Sequence, residues 1–141
     1  MSLPPLLELP DENAYRKHFQ KQYLPPAVIR TFDGIHVRFF ERNFDHAFYC
    51  ESVRGSGKKD KLSQQRSQRM DWISVVLQDR NADLYRRIMS NRTIRRIALI
   101  PSERYVVVIQ VDKNGKRANF VTAYVVRSNK ALSKLKTNPR W

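Results

Sequence analysis

The sequence predicts an α+β fold, and three observations carry that expectation. Apolar residues recur at helical spacing in two segments of the first half, Asp11 to about Tyr23 and Leu62 to Gln78. Three segments of the second half, Ile94 to Ile100, Tyr105 to Val111 and Asn119 to Val126, are dense in β-branched and aromatic residues. Asn114-Gly115, between the last two, is a turn pair suited to a two-residue hairpin.

The elements follow in order. Pro10 and Asp11-Glu12-Asn13 mark the start of the first helix, and Pro25-Pro26 stops it. Ile35 to Phe40 alternates, with Ile35, Val37 and Phe39 on one side and His36, Arg38 and Phe40 on the other, which reads as a strand. Phe44 to Tyr49 reads as a second short strand. The stretch ESVRGSGKKDK, residues 51–61, has two glycines and four basic residues and reads as the most flexible part of the chain. A short helical turn is expected at Leu84 to Ser90. The last two strands, joined at Asn114-Gly115, would pair Lys113 with Lys116, Ile109 with Phe120, Val107 with Thr122 and Tyr105 with Tyr124. On that register Val106, Val108, Val121, Ala123 and Val125 share an apolar face suited to packing on a helix, and Tyr105, Thr122 and Tyr124 share the other. Residues 1–126 form one expected domain, and the tail 127–141, with five basic residues and no acidic one, is expected to be partly disordered.

A chain of 141 residues is long enough to bury a core without a disulfide or a structural metal. The longest apolar run, Tyr105 to Ile109, is far short of the roughly 18 residues a membrane helix needs. The N-terminus lacks the basic start and apolar stretch of a secretory signal. The single cysteine, Cys50, allows no internal disulfide and fits a reducing, cytoplasmic setting. Met1 and the short tail fit a complete protein.

Charge is the most informative property. The chain has 27 Lys and Arg against 13 Asp and Glu, a net charge of +14. Residues 1–50 hold 6 of each sign, whereas residues 51–141 hold 21 basic and 7 acidic side chains, which places the entire excess in the second part. A field that lopsided attracts polyanions, and nucleic acid is the commonest of these. An acidic protein or a membrane surface is the alternative.

Several residues are placed to do chemistry. Arg66 and Arg69 fall within the stripe of the second helix that also holds Leu62, Ile73, Val76 and Leu77. They can snorkel past the core or pair with a carboxylate such as Asp45; alternatively they clamp a phosphate, for which the planar guanidinium is well shaped. His18, His36 and His46 do not stand at metal-ligand spacing with one another or with Cys50, so no metal is expected. His46, in Phe44-Asp45-His46-Ala47-Phe48, is either a packed structural histidine or a proton shuttle. Tyr105, Thr122 and Tyr124 form a hydroxyl cluster that can pack in the sheet or contact phosphates and bases. There is no P-loop, GxGxxG or GxSxG, and the acidic residues are scattered rather than paired. Metal-independent RNA cleavage fits what remains: the 2′-hydroxyl attacks the adjacent phosphate, and the protein must supply a base, an acid and fixed positive charge.

An ordered set of motifs extends this reading: Phe32-Asp33-Gly34-Ile35-His36-Val37; Phe44-Asp45-His46-Ala47-Phe48; Arg66 and Arg69 with Trp72-Ile73 and Leu77; Arg95-Arg96-Ile97 with Tyr105-Val106-Val107-Val108; and Phe120-Val121-Thr122-Ala123-Tyr124. Over about residues 31–126 this set resembles the phage- and plasmid-associated branch of the barnase/EndoU/colicin/RelE-like (BECR) nucleases. The resemblance implies N-terminal helices packed on one face of a curved antiparallel β-sheet, with an RNA site on the other. It implies a metal-independent ribonuclease without a cofactor, a toxin or phage- or plasmid-borne effector. Its implied catalytic positions are His46, Arg66 or Arg69, and Thr122 with Tyr124; the glutamate base of barnase has no counterpart.

The combined expectation places His46, Arg66, Arg69, Thr122 and Tyr124 in catalysis. Tyr105, Lys58, Lys59, Lys61, His36 and Arg38 are expected to bind nucleic acid. The expected partners are RNA, tRNA among the candidates, and an acidic inhibitor or antitoxin. A non-catalytic nucleic-acid-binding accessory protein is the alternative.

Overall fold

The computed structural model describes residues 2–141. The chain is a mixed α+β structure with five helices and eight strands among the described residues: α1 (Glu12–Tyr23), β1 (Ile29–Arg30), β2 (His36–Arg38), α2 (Arg42–Ala47), β3 (Tyr49–Glu51), β4 (Lys59–Leu62), α3 (Gln64–Gln68), α4 (Trp72–Leu77), β5 (Asp83–Ile88), β6 (Ile94–Ile100), β7 (Tyr105–Val111), β8 (Arg117–Val125) and α5 (Asn129–Leu135). Six strands form one sheet in the order β1-β2-β8-β7-β6-β5, and β3 and β4 form a separate hairpin. The large sheet is not purely antiparallel, because β2 runs parallel to β8.

The main core lies between one sheet face and α1 to α4. Phe19 and Tyr23 of α1, Phe44 and Phe48 around α2, and Ile73, Val76 and Leu77 of α4 pack on Val37, Phe39, Val107, Ile109 and Phe120. Phe19 is fully buried among Tyr23, Phe39, Phe44 and Phe48. Helix α1 starts where expected, because the Asp11 carboxylate accepts from the Ala14 amide as an N-cap. A second, smaller cluster occupies the opposite face: Tyr85, Ile97, Leu99, Val106, Val108 and Val126 under Leu132 and Leu135 of α5. Helices therefore cover both faces of the sheet, not one.

Several local expectations change. Phe44 to Tyr49 is mostly helix α2, because Phe44, Ala47 and Phe48 stand three and four apart and all point into the core. Leu62 to Gln78 is not one helix. Leu62 belongs to β4, Ser63 caps α3 by accepting from the Arg66 amide, and the chain breaks before α4. The cause of the break is the Tyr23 hydroxyl, which donates to the Met70 carbonyl at 2.6 Å and accepts from the Ser74 amide at 3.3 Å. Those two backbone groups would pair in a continuous helix, and an inserted side chain interrupts such a ladder. The expected helical turn at Leu84 to Ser90 is replaced by strand β5 through Ile88, which pairs along β6 from Asp83–Leu99 to Ile88–Ile94. Part of the stretch 51–61 is ordered by the β3–β4 hairpin. The tail is also ordered. Ser128 caps α5, and residues 139–141 lie along β5 through Arg86 N–H to Pro139 O and Trp141 N–H to Leu84 O.

The β7–β8 hairpin begins on the expected register, with Ile109 opposite Phe120 and Gln110 opposite Asn119. A bulge between Val108 and Ile109 then shifts it by one, so Val107 meets Ala123 and Tyr105 meets Val125. The extra residue in β8 reverses side-chain direction beyond it. Ala118, Phe120 and Ala123 all face the helical layer, while Val121 and Tyr124 face α5. Tyr105 sits on the helical face with Val107, so Tyr105 and Tyr124 lie on opposite sides of the sheet.

Candidate nucleic-acid cleft

The bulge in β8 is where the helical layer meets the open side of the sheet. Asn43 pins the start of α2 there: its side chain accepts from the Phe40 amide at 2.7 Å and reaches the Phe120 carbonyl at 3.4 Å. Arg42 and His46, four residues apart, then share the outer edge of α2. The Ser63 cap sets α3 so that Arg66 crosses toward β8. Its guanidinium donates to the Ala47 carbonyl at 3.1 Å and, at a longer 3.4 Å, to the Thr122 hydroxyl, and it lies 5.5 Å from the centre of the Tyr124 ring. From the β3–β4 hairpin, Lys59 donates to the His46 carbonyl at 3.2 Å. These residues and Gln110, Asn119 and Val121 line an open cleft of about 540 Å³.

The cleft lining contains no carboxylate. Arg66 is half-buried, and burial lowers its pKa, a direction that reports destabilisation of the charged form. Among the described residues no Asp or Glu comes within salt-bridge distance of it. Guanidinium stays protonated in proteins, so this is a partly desolvated cation whose charge is not neutralised within the chain. A phosphate in the cleft would supply the missing anion and could accept a planar, two-point hydrogen bond.

The structure brings His46, Arg66, Thr122, Tyr124 and Lys59 to one place. Arg38 stands at its margin, with Nε donating to Asn119 Oδ1 at 3.1 Å. Arg69 is directed elsewhere: it donates to the Gln65 carbonyl at 2.9 Å and stacks 5.0 Å from the Trp72 ring. Arg66 lies within α3 and Arg69 is its C-cap, and their side chains take different partners. Tyr105 is 1% exposed, its hydroxyl donates to the Arg69 carbonyl, and burial pushes its pKa up. It is therefore enclosed in the helical layer and does not face solvent. His36 pairs with Arg117 on β2 and β8 and borders a hollow formed by Leu24, Pro25 and Pro26, outside the cleft. Lys58 and Lys61 are exposed on the β3–β4 hairpin and do not line the cleft. Asp45 pairs with Arg16 at 2.8 Å rather than with Arg66 or Arg69.

Arg42, Asn43, Gln110 and Asn119 are cleft residues that sequence reasoning did not single out. The expected hairpin register already placed Gln110 opposite Asn119. Arg42 is visible only once its segment is read as a helix. Among the described residues no group of three or more His, Cys, Asp or Glu is placed to hold a metal ion, and no helix is long and apolar enough to cross a membrane. Comparison with protein-family models, with curated proteins and with solved structures gives no match.

Proposed function

We propose that this chain binds RNA in the cleft and cleaves it by attack of the ribose 2′-hydroxyl on the adjacent phosphate. The observation that carries the reading is Arg66: a half-buried cation with no carboxylate, held between Thr122 and Tyr124 in a cleft that also contains His46. His46 takes the proton of the 2′-hydroxyl as the oxygen–phosphorus bond forms. Arg66 and Lys59 stabilise the charge that grows on the phosphorane oxygens. The 5′-oxygen leaves with a proton returned from His46 or from water, giving a 2′,3′-cyclic phosphate and a 5′-hydroxyl. Thr122 and Tyr124 position the phosphate. Membership of the BECR nucleases belongs to the same proposal and rests on the ordered motifs.

The test is incubation of the purified chain with RNA in excess EDTA, with His46→Ala and Arg66→Ala alongside. His46→Ala should lower the rate by roughly 10²–10⁴ while nearly preserving RNA affinity. Equal losses in binding and rate, or no loss, would remove His46 from this role. One observation favours the non-catalytic alternative: the His46 side chain has no hydrogen-bonded partner to orient it among the described residues. Salt-sensitive binding without any cleavage product would select that alternative.

A further inference from the structure

Strand register assembles a second feature that extends beyond the cleft. Across five adjacent strands, Arg87 pairs with Arg95, Arg95 with Gln110, Gln110 with Asn119, and Asn119 with Arg38. Paired residues share a sheet face, so these five side chains form one row on the α5 side. The neighbouring row, Tyr85, Ile97 and Val108, is the one buried under α5. Four strand spacings of about 4.8 Å give the polar row a length of about 19 Å.

The row is cationic and uncompensated. None of Arg38, Arg87 and Arg95 is within salt-bridge distance of a carboxylate among the described residues. Arg95 Nε is buried without any hydrogen-bond partner. The row also joins the cleft: Gln110 and Asn119 line it, and Tyr124 borders both the cleft and a hollow of about 350 Å³ shared by Arg87 and Lys134.

We propose that this row is a track for single-stranded RNA, leading the strand from the cleft to the β5 edge of the sheet. The inference rests on the RNA-binding part of the reading above. Arginine forks bind successive phosphates, and the Gln110 and Asn119 amides between them contact base edges. Amides interleaved with arginines suit unstacked bases, which a duplex does not offer.

The test uses fluorescein-labelled 2′-O-methyl oligouridylate of about ten nucleotides, a length within the usual range for single-strand sites. Without a free 2′-hydroxyl it cannot be cleaved by the proposed route, so binding is measured whether or not the chain is a nuclease. The variant is Arg87→Gln/Arg95→Gln. The charge-matched control is Lys17→Gln/Lys21→Gln, on the exposed side of α1. Each lost phosphate contact should reduce the magnitude of the log–log salt slope by about 0.7, so the track variant should lose about 1.4 in slope and roughly 25-fold in affinity at about 0.1 M salt. The control should keep the slope, and the loss should be smaller on a dinucleotide. Matching thermal midpoints for the two variants show that both are folded. A track variant indistinguishable from the control overturns the proposal, as does an equal loss on the dinucleotide. Equal wild-type affinity for an RNA duplex or polyglutamate of similar length also overturns it. Absence of cleavage with the expected slope change removes the catalytic reading and leaves the track standing.

Discussion

Replacing Asp33 with Ala should destabilise the fold far more than a surface substitution, because it strands a buried cation. Arg96 on β6 has a side chain only 2% exposed, and its NH1 donates to both carboxylate oxygens of Asp33, at 3.0 and 2.9 Å. The guanidinium also lies against the rings of Phe32 and Trp141. Removing one partner of a buried ion pair costs about 3–5 kcal/mol, since the remaining charge is left without compensation. Asp33 is 36% exposed, so water screens the pair and can partly replace the carboxylate; about 2–3 kcal/mol is the appropriate expectation. For a chain of this size that is a drop in melting temperature of roughly 6–10 °C.

The assay is thermal and urea unfolding of wild type, Asp33→Ala, Arg96→Met and the double variant at neutral and acid pH. Arg96→Met should cost less than Asp33→Ala, and adding it to Asp33→Ala should recover part of the loss. The acid limb has a defined sign. Burial alone would raise the Asp33 pKa, but hydrogen bonds from Thr31 and Arg96, together with the guanidinium charge, hold it below the usual carboxylate range. Its contribution is complete above the unfolded value of about 3.9 and is lost as pH falls through the lower folded value. The difference between wild type and Asp33→Ala should therefore shrink below about pH 4. A double variant no more stable than Asp33→Ala would refute the reasoning, because the penalty would then not come from the stranded cation.

Two further substitutions test the elements that aim the cleft. Tyr23→Phe removes the hydroxyl inserted between Met70 and Ser74 and leaves two backbone groups short of a partner; urea unfolding should show a loss of about 1–3 kcal/mol, and no loss would mean that the helix closes its own ladder. Ser63→Ala removes the cap of α3 and should cost about 0.5–2 kcal/mol in the same measurement. It should also weaken the proposed RNA binding through the freed Arg66, and Ser63→Thr, which can still cap without adding charge, should restore both.

The charge distribution and the cleft describe the same surface at two scales. All of the net charge lies beyond residue 50, and β5 and β6 turn part of it into the paired Arg87 and Arg95 on the α5 side of the sheet. Composition reports that the charge exists; register decides that Arg87, Arg95 and Arg38 stand in one row with two amides between them.

The sequence by itself determined the features encoded within a few residues. Helix α1 was legible from its cap and its apolar spacing, strands β6, β7 and β8 from β-branched density, and the Ile109–Phe120 register from Asn114-Gly115. His46, Arg66, Thr122 and Tyr124 were legible as candidates by residue type, and the fold brings all four to one cleft. Tertiary structure decided the rest, because the deciding partners are distant along the chain. The Tyr23 hydroxyl splits one expected helix into α3 and α4, and only Arg66 reaches across to β8. The bulge in β8 separates Tyr105 from Tyr124, and the choice between strand and helix at Phe44 depends on a core formed by α1 and β8. The tail is ordered because Leu132 and Leu135 find an apolar face that only the assembled sheet presents. Local periodicity fixes which face a residue takes within its own element, whereas the partner that face meets depends on contacts whose closure no local pattern records.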